Sequence, residues 1–343
     1  MVGAITSGPP RHGGNIDDAL KAYGGQAQDW LDLSTGISPW PYPANNIELD
    51  LWHKLPTAPE NLITAASVYY NCEPSKISVS PGTQLAIRLL PSLLTQGQRV
   101  AVPSIGYQEH RYAWQRAGHK VVDYDCFDSL SSLTDNDAID HAVVINPNNP
   151  SCELIDKNHL VTIAQKLVGV LIVDEAFADY DNAQSLVSTT QLDNILVLRS
   201  IGKYFGLAGA RVGFVISNHP LARELNTLLQ PWSINGAALA ITEQALSDIQ
   251  WQQQQTSRIK QQNQSLLELI AKHFNFLCKN QGLFTTLFAD AQTLSRLQHK
   301  LAQQTIWTRL GDPCQGQNWL RLSLPGDHFQ RLSDTLDCIN LQN

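Results

Sequence analysis

The run SIGKYFGLAGARVGF, residues 200–214, sets a single lysine among glycines, alanines and aromatics. Three chemistries suit Lys203 in that setting: a phosphate-binding loop, a structural lysine whose stem lies along apolar surface, or a Schiff-base nucleophile. A G-x-x-x-x-G-K-[ST] loop fails at once, because Tyr204 follows the lysine. The Schiff-base reading needs an acid, an aromatic platform and phosphate donors. Asp174 and Glu175 end an apolar run, where an acid either caps the next helix or pairs with a buried cation. NPNNP (146–150) is rigid, since each proline restrains itself and its predecessor, and it suits a plain turn as well as a site loop. SPGTQ (80–84) opens a helix after a strand; its first backbone N–H groups can bind a phosphate, although many helices begin this way without a ligand.

These groups need elements to position them. TQLAIRLLPSLL (83–94) has helical spacing and RVAVPS (99–104) reads as a buried strand. EHRYAWQRAGHKVVDYD gives a helix ending at Gly118 and then a strand. HAVVINPNNP, GVLIVDEAFADY and NILVLRSIGK are strands that run into polar clusters, with the helix NHLVTIAQKL between the first two. Short apolar strands separated by helices predict a mostly parallel sheet covered on both faces. Ligands of such sheets sit at the carboxyl ends of the strands, where NPNNP, DEAF and SIGK fall. From about residue 235 a long glutamine-rich stretch, GAALAITEQALSDIQWQQQQTSRIKQQNQSLLELIAKHF, predicts a helix with one wet face, and the last third a small α/β domain.

Composition removes several function classes. A chain of 343 residues suits one large domain and a smaller one. A net charge of −7 argues against sequence-independent binding to nucleic acid. No run approaches 18 apolar residues, so no membrane span is expected, and the opening MVGAITSGPPRHGGN lacks the basic start and apolar run of a signal peptide. The six cysteines (72, 126, 152, 278, 314 and 338) are scattered, which favours isolated thiols in a reducing, cytoplasmic setting and offers no metal site.

Together the ordered motifs resemble a family. D-E-A-F, then S-x-G-K, then G-x-A-G-x-R-x-G is similar to fold-type I pyridoxal-phosphate enzymes of the histidinol-phosphate aminotransferase group, over nearly the whole chain. RHGGN, WLDLSTGISPWPYP, WHKLP, YQEH, NPNNP, SIGKYFGLAGARVGF and WLRLSLPGD bring it closer to the cobalamin-pathway branch, the threonine-phosphate decarboxylases. The resemblance implies a large domain with a mostly parallel seven-stranded sheet flanked by helices, plus a small α/β domain. It places an N-terminal segment at 1–40, the cofactor-binding domain at 41–232 and the small domain at 233–343.

The resemblance also implies roles. Lys203 would carry pyridoxal 5'-phosphate as a Schiff base. Arg211, Ser200, Gly82, Thr83 and Gln84 would hold its phosphate, Asp174 would pair with the pyridinium nitrogen and Asn149 with the ring hydroxyl. Tyr107 would stack on the ring. Arg321 would bind the substrate carboxylate and Arg309 its phosphate, with His12, Gly13 and Gly14 near that phosphate and Thr35 and Gly36 lining the substrate site. Two departures from the aminotransferase pattern each remove a hydroxyl near the cofactor: Phe177 stands where tyrosine is usual after DEA, and Leu55 where tyrosine precedes Pro56. Both suit the decarboxylase branch. The implied reaction is decarboxylation of L-threonine O-3-phosphate to (R)-1-amino-2-propanol O-2-phosphate, with histidinol-phosphate aminotransferase as the alternative. Arg309 and Arg321 would orient the bond that breaks, and the implied assembly is a homodimer.

Overall fold

The computed structural model describes residue 10 and residues 13–45, 47–189, 193–229, 231–311 and 318–339. Its strands in chain order are β1 (Leu31–Asp32), β2 (Ile77–Ser80), β3 (Arg99–Pro103), β4 (Lys120–Tyr124), β5 (His141–Ile145), β6 (Leu171–Asp174), β7 (Ile195–Ser200) and β8 (Gly213–Ile216), then β9 (Leu277–Gln281), β10 (Phe284–Phe288), β11 (Ile306–Trp307), β12 (Arg309–Leu310) and β13 (Trp319–Ser323). Contacts divide the chain into two units. One holds Tyr42–Asn149 and Glu153–Trp251; the other holds Arg11–Pro41, Pro150–Cys152 and Gln252–Asn343.

The first unit is built on a seven-stranded sheet in the order β2-β8-β7-β6-β5-β3-β4. Strands β3 to β7 pair in parallel, and β5, β6 and nearly all of β7 are buried at every residue, as expected of strands covered on both faces. Strand β8 alone runs against its neighbours, pairing antiparallel with both β7 and β2. One face packs Ala86, Ile87 and Leu90 with Val102, Trp114, Val143, Leu196, Leu198 and Leu225. Each of the larger side chains stabilises the unit by about 1.5–3 kcal/mol on burial.

The sheet register aligns the functional ends. Ile145, Asp174 and Leu198 are neighbours across β5, β6 and β7. Ser80, Gly213 and Ser200 are neighbours across β2, β8 and β7. The start of β8 therefore lies at the edge where β2 and β7 end. Behind that edge Arg199 is fully buried, bonded to Glu175 at 2.8 Å, Asp179 at 2.6 Å and Asn182 at 2.7 Å, with the Tyr70 ring centroid 4.9 Å from its guanidinium. Burial of these charges is tolerated because each carboxylate has the guanidinium and other donors: Ser185 and Leu186 N–H for Glu175, Tyr69 for Asp179.

In the second unit β12-β13-β10-β9 form an antiparallel sheet, and β1 pairs in parallel with β11. Helix Ala291–Gln303 buries Leu294, Leu297 and Leu301 at helical spacing, and helix Phe329–Cys338 buries Leu332 and Leu336. The single long helix expected after residue 235 is two helices, Gly236–Ser247 and Ile249–His273. Asp248 separates them: its backbone leaves helical geometry, and its carboxylate accepts from Trp251 N–H at 2.9 Å, capping the second helix. The predicted strand through DEAFADY stops at Asp174, and a 3-10 turn takes Ala178–Tyr180. No described helix is long and apolar enough to cross a membrane, and the described cysteines 72, 126, 152, 278 and 338 are free; Cys314 lies outside the described residues.

His141 ties β5 to its surroundings in the neutral form. Its Nδ1 accepts from Val170 N–H at 2.9 Å, its Nε2 meets Gln98 Oε1 at 2.9 Å, and Gly169 backs directly onto the ring. Burial, followed by repulsion from His119, lowers its pKa from 6.5 to about 4. Since the folded state holds fewer protons than the unfolded state between those values, stability is full above pH 6.5 and declines as pH falls towards 4. In urea titrations across that window the wild-type midpoint should fall with pH, and His141→Gln should flatten the slope.

Candidate active site

Five chain segments converge on the carboxyl edge of the seven-stranded sheet. Lys203 lies in the turn that follows β7, between Gly202 and the fully buried Tyr204 and Phe205. Phe205 stacks on Trp251 (centroids 5.6 Å apart, 11° between planes) and its carbonyl accepts from Tyr42 N–H at 2.8 Å. These contacts fix the backbone of the turn while leaving Lys203 half-buried. The Lys203 Nζ stands 5.3 Å from the Phe177 ring centroid. Phe177, buried just beyond β6, thus offers the amine an aromatic face and no hydroxyl.

The next part of the site is an anion cradle. Gly82 joins β2 to helix Thr83–Leu89 with φ +73° and ψ 158°, a conformation essentially confined to glycine. A Cβ on Gly82 would stand 2.7 Å from Arg211 Nη2, so the guanidinium lies directly against the helix start. Gly213 allows the same approach from β8: a Cβ there would reach Thr83 N at 2.7 Å. Arg211 itself is left-handed (φ 54°), and its Nη1 donates to Ala208 O at 3.2 Å. Ser200 Oγ accepts from Gly202 N–H at 3.2 Å. Open helix N–H groups, a guanidinium and a serine at one edge suit a phosphate.

Asp174, at the end of β6, is buried between two donors. His110 Nε2 lies 2.9 Å from Oδ2, and Ala176 N–H donates to Oδ1 at 3.1 Å. Asp174 therefore does what a turn-capping acid does and also forms a buried His–Asp pair. Glu175 points the opposite way, to Arg199, as alternation along an extended chain requires. Tyr107 donates to Gln84 Oε1 at 2.7 Å; burial first, then the charges of Glu109 and Asp174, hold its phenol well above the usual tyrosine range. Gln84's side chain is engaged by Tyr107 and Glu109. Within NPNNP, Asn146 and Asn148 act as a turn brace: Asn146 bonds the backbone of Ile155 in both directions, and Asn148 donates to Ile105 O. Asn149 is the half-exposed asparagine of the loop.

The second unit gathers another set. Arg309 and Arg321 are direct cross-strand partners on β12 and β13. Arg321 is buried, packs over the Phe284 ring at 5.3 Å and donates to the Ser34 carbonyl. Burial, then the neighbouring Arg309 charge, lowers its pKa to about 10. Like charges opposite one another destabilise a sheet, and an anion beside them would relieve that repulsion. Gly13 packs against the Ser34 carbonyl so closely that a Cβ would overlap it, and Gly14 N–H donates to Ser34 Oγ at 2.7 Å. Thr35 Oγ1 accepts from Ile37 N–H, and Gly36 N–H donates to Ser323 Oγ at 2.7 Å. Gly13, Gly14, Thr35, Gly36, Arg309 and Arg321 are thus drawn together. His12 lies outside the described residues.

Sequence reasoning missed His110, Glu109, Arg88 and Ser34. YQEH contains two of them, but a polar pair at a helix start reads as solvated until burial demands partners for it. Asp32, which accepts from both the N–H and Oγ of Ser34, was likewise indistinguishable from any strand acid.

Residues 53–332 match the family described as aminotransferase class I and II. The chain is 38% identical to the threonine-phosphate decarboxylase of Pseudomonas aeruginosa over 319 residues, covering 92% of this chain and 93% of that one. It is 33% identical to the threonine-phosphate decarboxylase of a Sinorhizobium species, covering 96% and 98%. Its fold is similar to that of histidinol-phosphate aminotransferase from Sinorhizobium meliloti, solved in complex with pyridoxal-5'-phosphate (TM-score 0.83, 20% identity, 97% and 94% covered).

Gly82→Ala is expected to cost about 1–3 kcal/mol of stability from its backbone alone and to push the Arg211 guanidinium out of the cradle. Inorganic phosphate should raise the melting temperature of the wild type, while Gly82→Ala and Arg211→Ala should both lose most of that rise.

Proposed function

We propose a reaction for a chain that belongs to the class I and II aminotransferase family: the pyridoxal-phosphate-dependent decarboxylation of L-threonine O-3-phosphate to (R)-1-amino-2-propanol O-2-phosphate, serving cobalamin biosynthesis. The observation that carries it is the Arg309–Arg321 pair, two arginines in direct cross-strand register with one of them buried. That pair suits a substrate with two anionic groups, here a carboxylate and a phosphate. The near full-length similarity to two threonine-phosphate decarboxylases supports the same reading.

The residues of the first unit fit pyridoxal phosphate. The Gly82–Thr83 helix start with Arg211 and Ser200 has the charge and the closeness of approach for its phosphate. Asp174, oriented by His110, is a buried carboxylate suited to a protonated ring nitrogen. Asn149 would donate to the ring hydroxyl, Tyr107 and Phe177 would lie along the ring, and Lys203 would be the covalent anchor. When bound, the cofactor supplies an electron sink for the pair left by a broken bond at the substrate's α-carbon.

The protein's own tasks follow from the balance of the reaction. The C–COO⁻ bond breaks, carbon dioxide leaves, and a C–H bond forms at the same carbon, so one proton is consumed. Arg321 would hold the carboxylate and Arg309 the phosphate, restricting rotation about the α-carbon so that the C–COO⁻ bond is the one presented for cleavage. Gly13, Gly14, His12, Thr35 and Gly36 belong to the same proposed substrate set. Lys203 Nζ would return the proton. The division of labour between a cofactor segment at 41–232 and substrate-holding segments at 1–40 and 233–343 is part of this proposal, as is a cytoplasmic setting.

The proposal includes a homodimer. Leu49, Trp52 and Leu55 are exposed, and so is Trp232, just before helix Gly236–Ser247, whose first residue backs onto Leu51. Such a collection of large apolar side chains suits coverage by a second copy. Sedimentation should give a dimer for the wild type and monomer for Trp52→Asp combined with Leu55→Asp; a monomeric wild type refutes the assembly.

The reaction is tested by incubating protein and cofactor with L-threonine O-3-phosphate, scoring carbon dioxide against amino-group transfer to 2-oxoglutarate. Carbon dioxide should dominate, and Lys203→Ala should lose about a thousandfold or more in rate. Predominant transfer to 2-oxoglutarate, or retained decarboxylation in Lys203→Ala, refutes the proposal.

A further inference from the structure

Glu109 opens helix Glu109–Arg116 and is fully buried, although nothing in the reaction calls for it. Its Oε2 lies 2.6 Å from Gln84 Nε2, 2.8 Å from Arg88 Nε and 2.7 Å from Arg88 Nη2. Gln84 and Arg88 are four residues apart on helix Thr83–Leu89, so both reach the same carboxylate. A carboxylate paired with arginine only accepts. The Gln84 atom that meets it must therefore be the amide nitrogen. The amide oxygen then points the other way, to the Tyr107 hydroxyl at 2.7 Å. A carbonyl oxygen only accepts as well, so the phenol must donate. Direction is passed from Arg88 through Glu109 and Gln84 to Tyr107 without a free choice at any link.

We propose that Glu109 is a positioning residue: it fixes the orientation of the Gln84 amide and thereby keeps the Tyr107 proton turned towards Gln84, so that the phenol meets the cofactor site as an aromatic face and an acceptor, not as an acid. Burial and the Glu109 and Asp174 charges raise the phenol's pKa, which removes it as a base too. Proton return in the proposed reaction is left to Lys203. The identity of the bound group rests on the proposed function, but the direction of the chain of bonds resides in the protein alone.

The test uses the full-length protein without cofactor. Raman difference spectra, wild type minus Tyr107→Phe, isolate the Tyr107 Fermi doublet, whose two bands change relative intensity between a donating and an accepting phenol. The wild type should show a donor. In Glu109→Gln, Arg88 claims the new amide oxygen, so its NH₂ faces Gln84, turns that amide round and makes Tyr107 an acceptor. The exchange Gln84→Glu with Glu109→Gln puts a carboxylate beside Tyr107 and an amide beyond it, and should restore the donor. Affinity for pyridoxal 5'-phosphate, read from protein fluorescence, should fall about tenfold in Glu109→Gln. An accepting Tyr107 in the wild type, or a donor signature unchanged in Glu109→Gln, overturns the inference. A wild type that shows the donor doublet but binds no pyridoxal 5'-phosphate refutes the proposed function and not this one.

Discussion

Reversal of a single strand organises the site of the first unit. Strand β8 lies between β2 and β7 and runs against both. Had it run parallel to them, residues just before it would lie at the far edge of the sheet, a strand length away from Lys203. Because it runs antiparallel, Arg211 enters where β2 and β7 end, and it meets the Gly82 turn there. Gly82 and Gly213 are the steric terms of that meeting: a side chain on either would occupy the space of Arg211 or of the helix start.

The same edge separates binding from support by the simplest property of an extended chain. Asp174 and Glu175 are adjacent and of similar chemistry, yet Asp174 turns to His110 while Glu175 turns to Arg199. Successive side chains leave an extended backbone in opposite directions. Arg199, on the strand that leads into the turn of Lys203, ties Glu175 and Asp179 into one buried network beneath the site. The loop of Lys203 therefore starts from a strand whose position is set by charge as well as by packing.

The second unit holds its charges differently. Arg199 has two carboxylates, whereas Arg321 faces Arg309 across the ladder and carries a lowered pKa. A pair of like charges kept in this way is costly to the folded state. The Ser34 carbonyl and the close-packed Gly13 and Gly14 shape the ground around it.

Much of this was legible in the sequence, and the boundary is physical. Local and periodic information lies along the chain: apolar runs specify the strands of the parallel sheet, glycine at 82 and the small residues around Lys203 specify close approach, and the ordered motifs specify the family. Asp248 shows where local reading still falls short, since its non-helical backbone and its capping bond to Trp251 N–H divide one long helix into two. His110, Glu109 and Arg88 were illegible for a different reason. A polar residue declares its role only through its partner, and theirs stand between 21 and 64 residues away. The sequence by itself determined which groups are present and which strands carry them. Tertiary structure alone decided the direction of β8, the sides taken by Asp174 and Glu175, and the partners of each buried charge, because these depend on which surfaces exclude water.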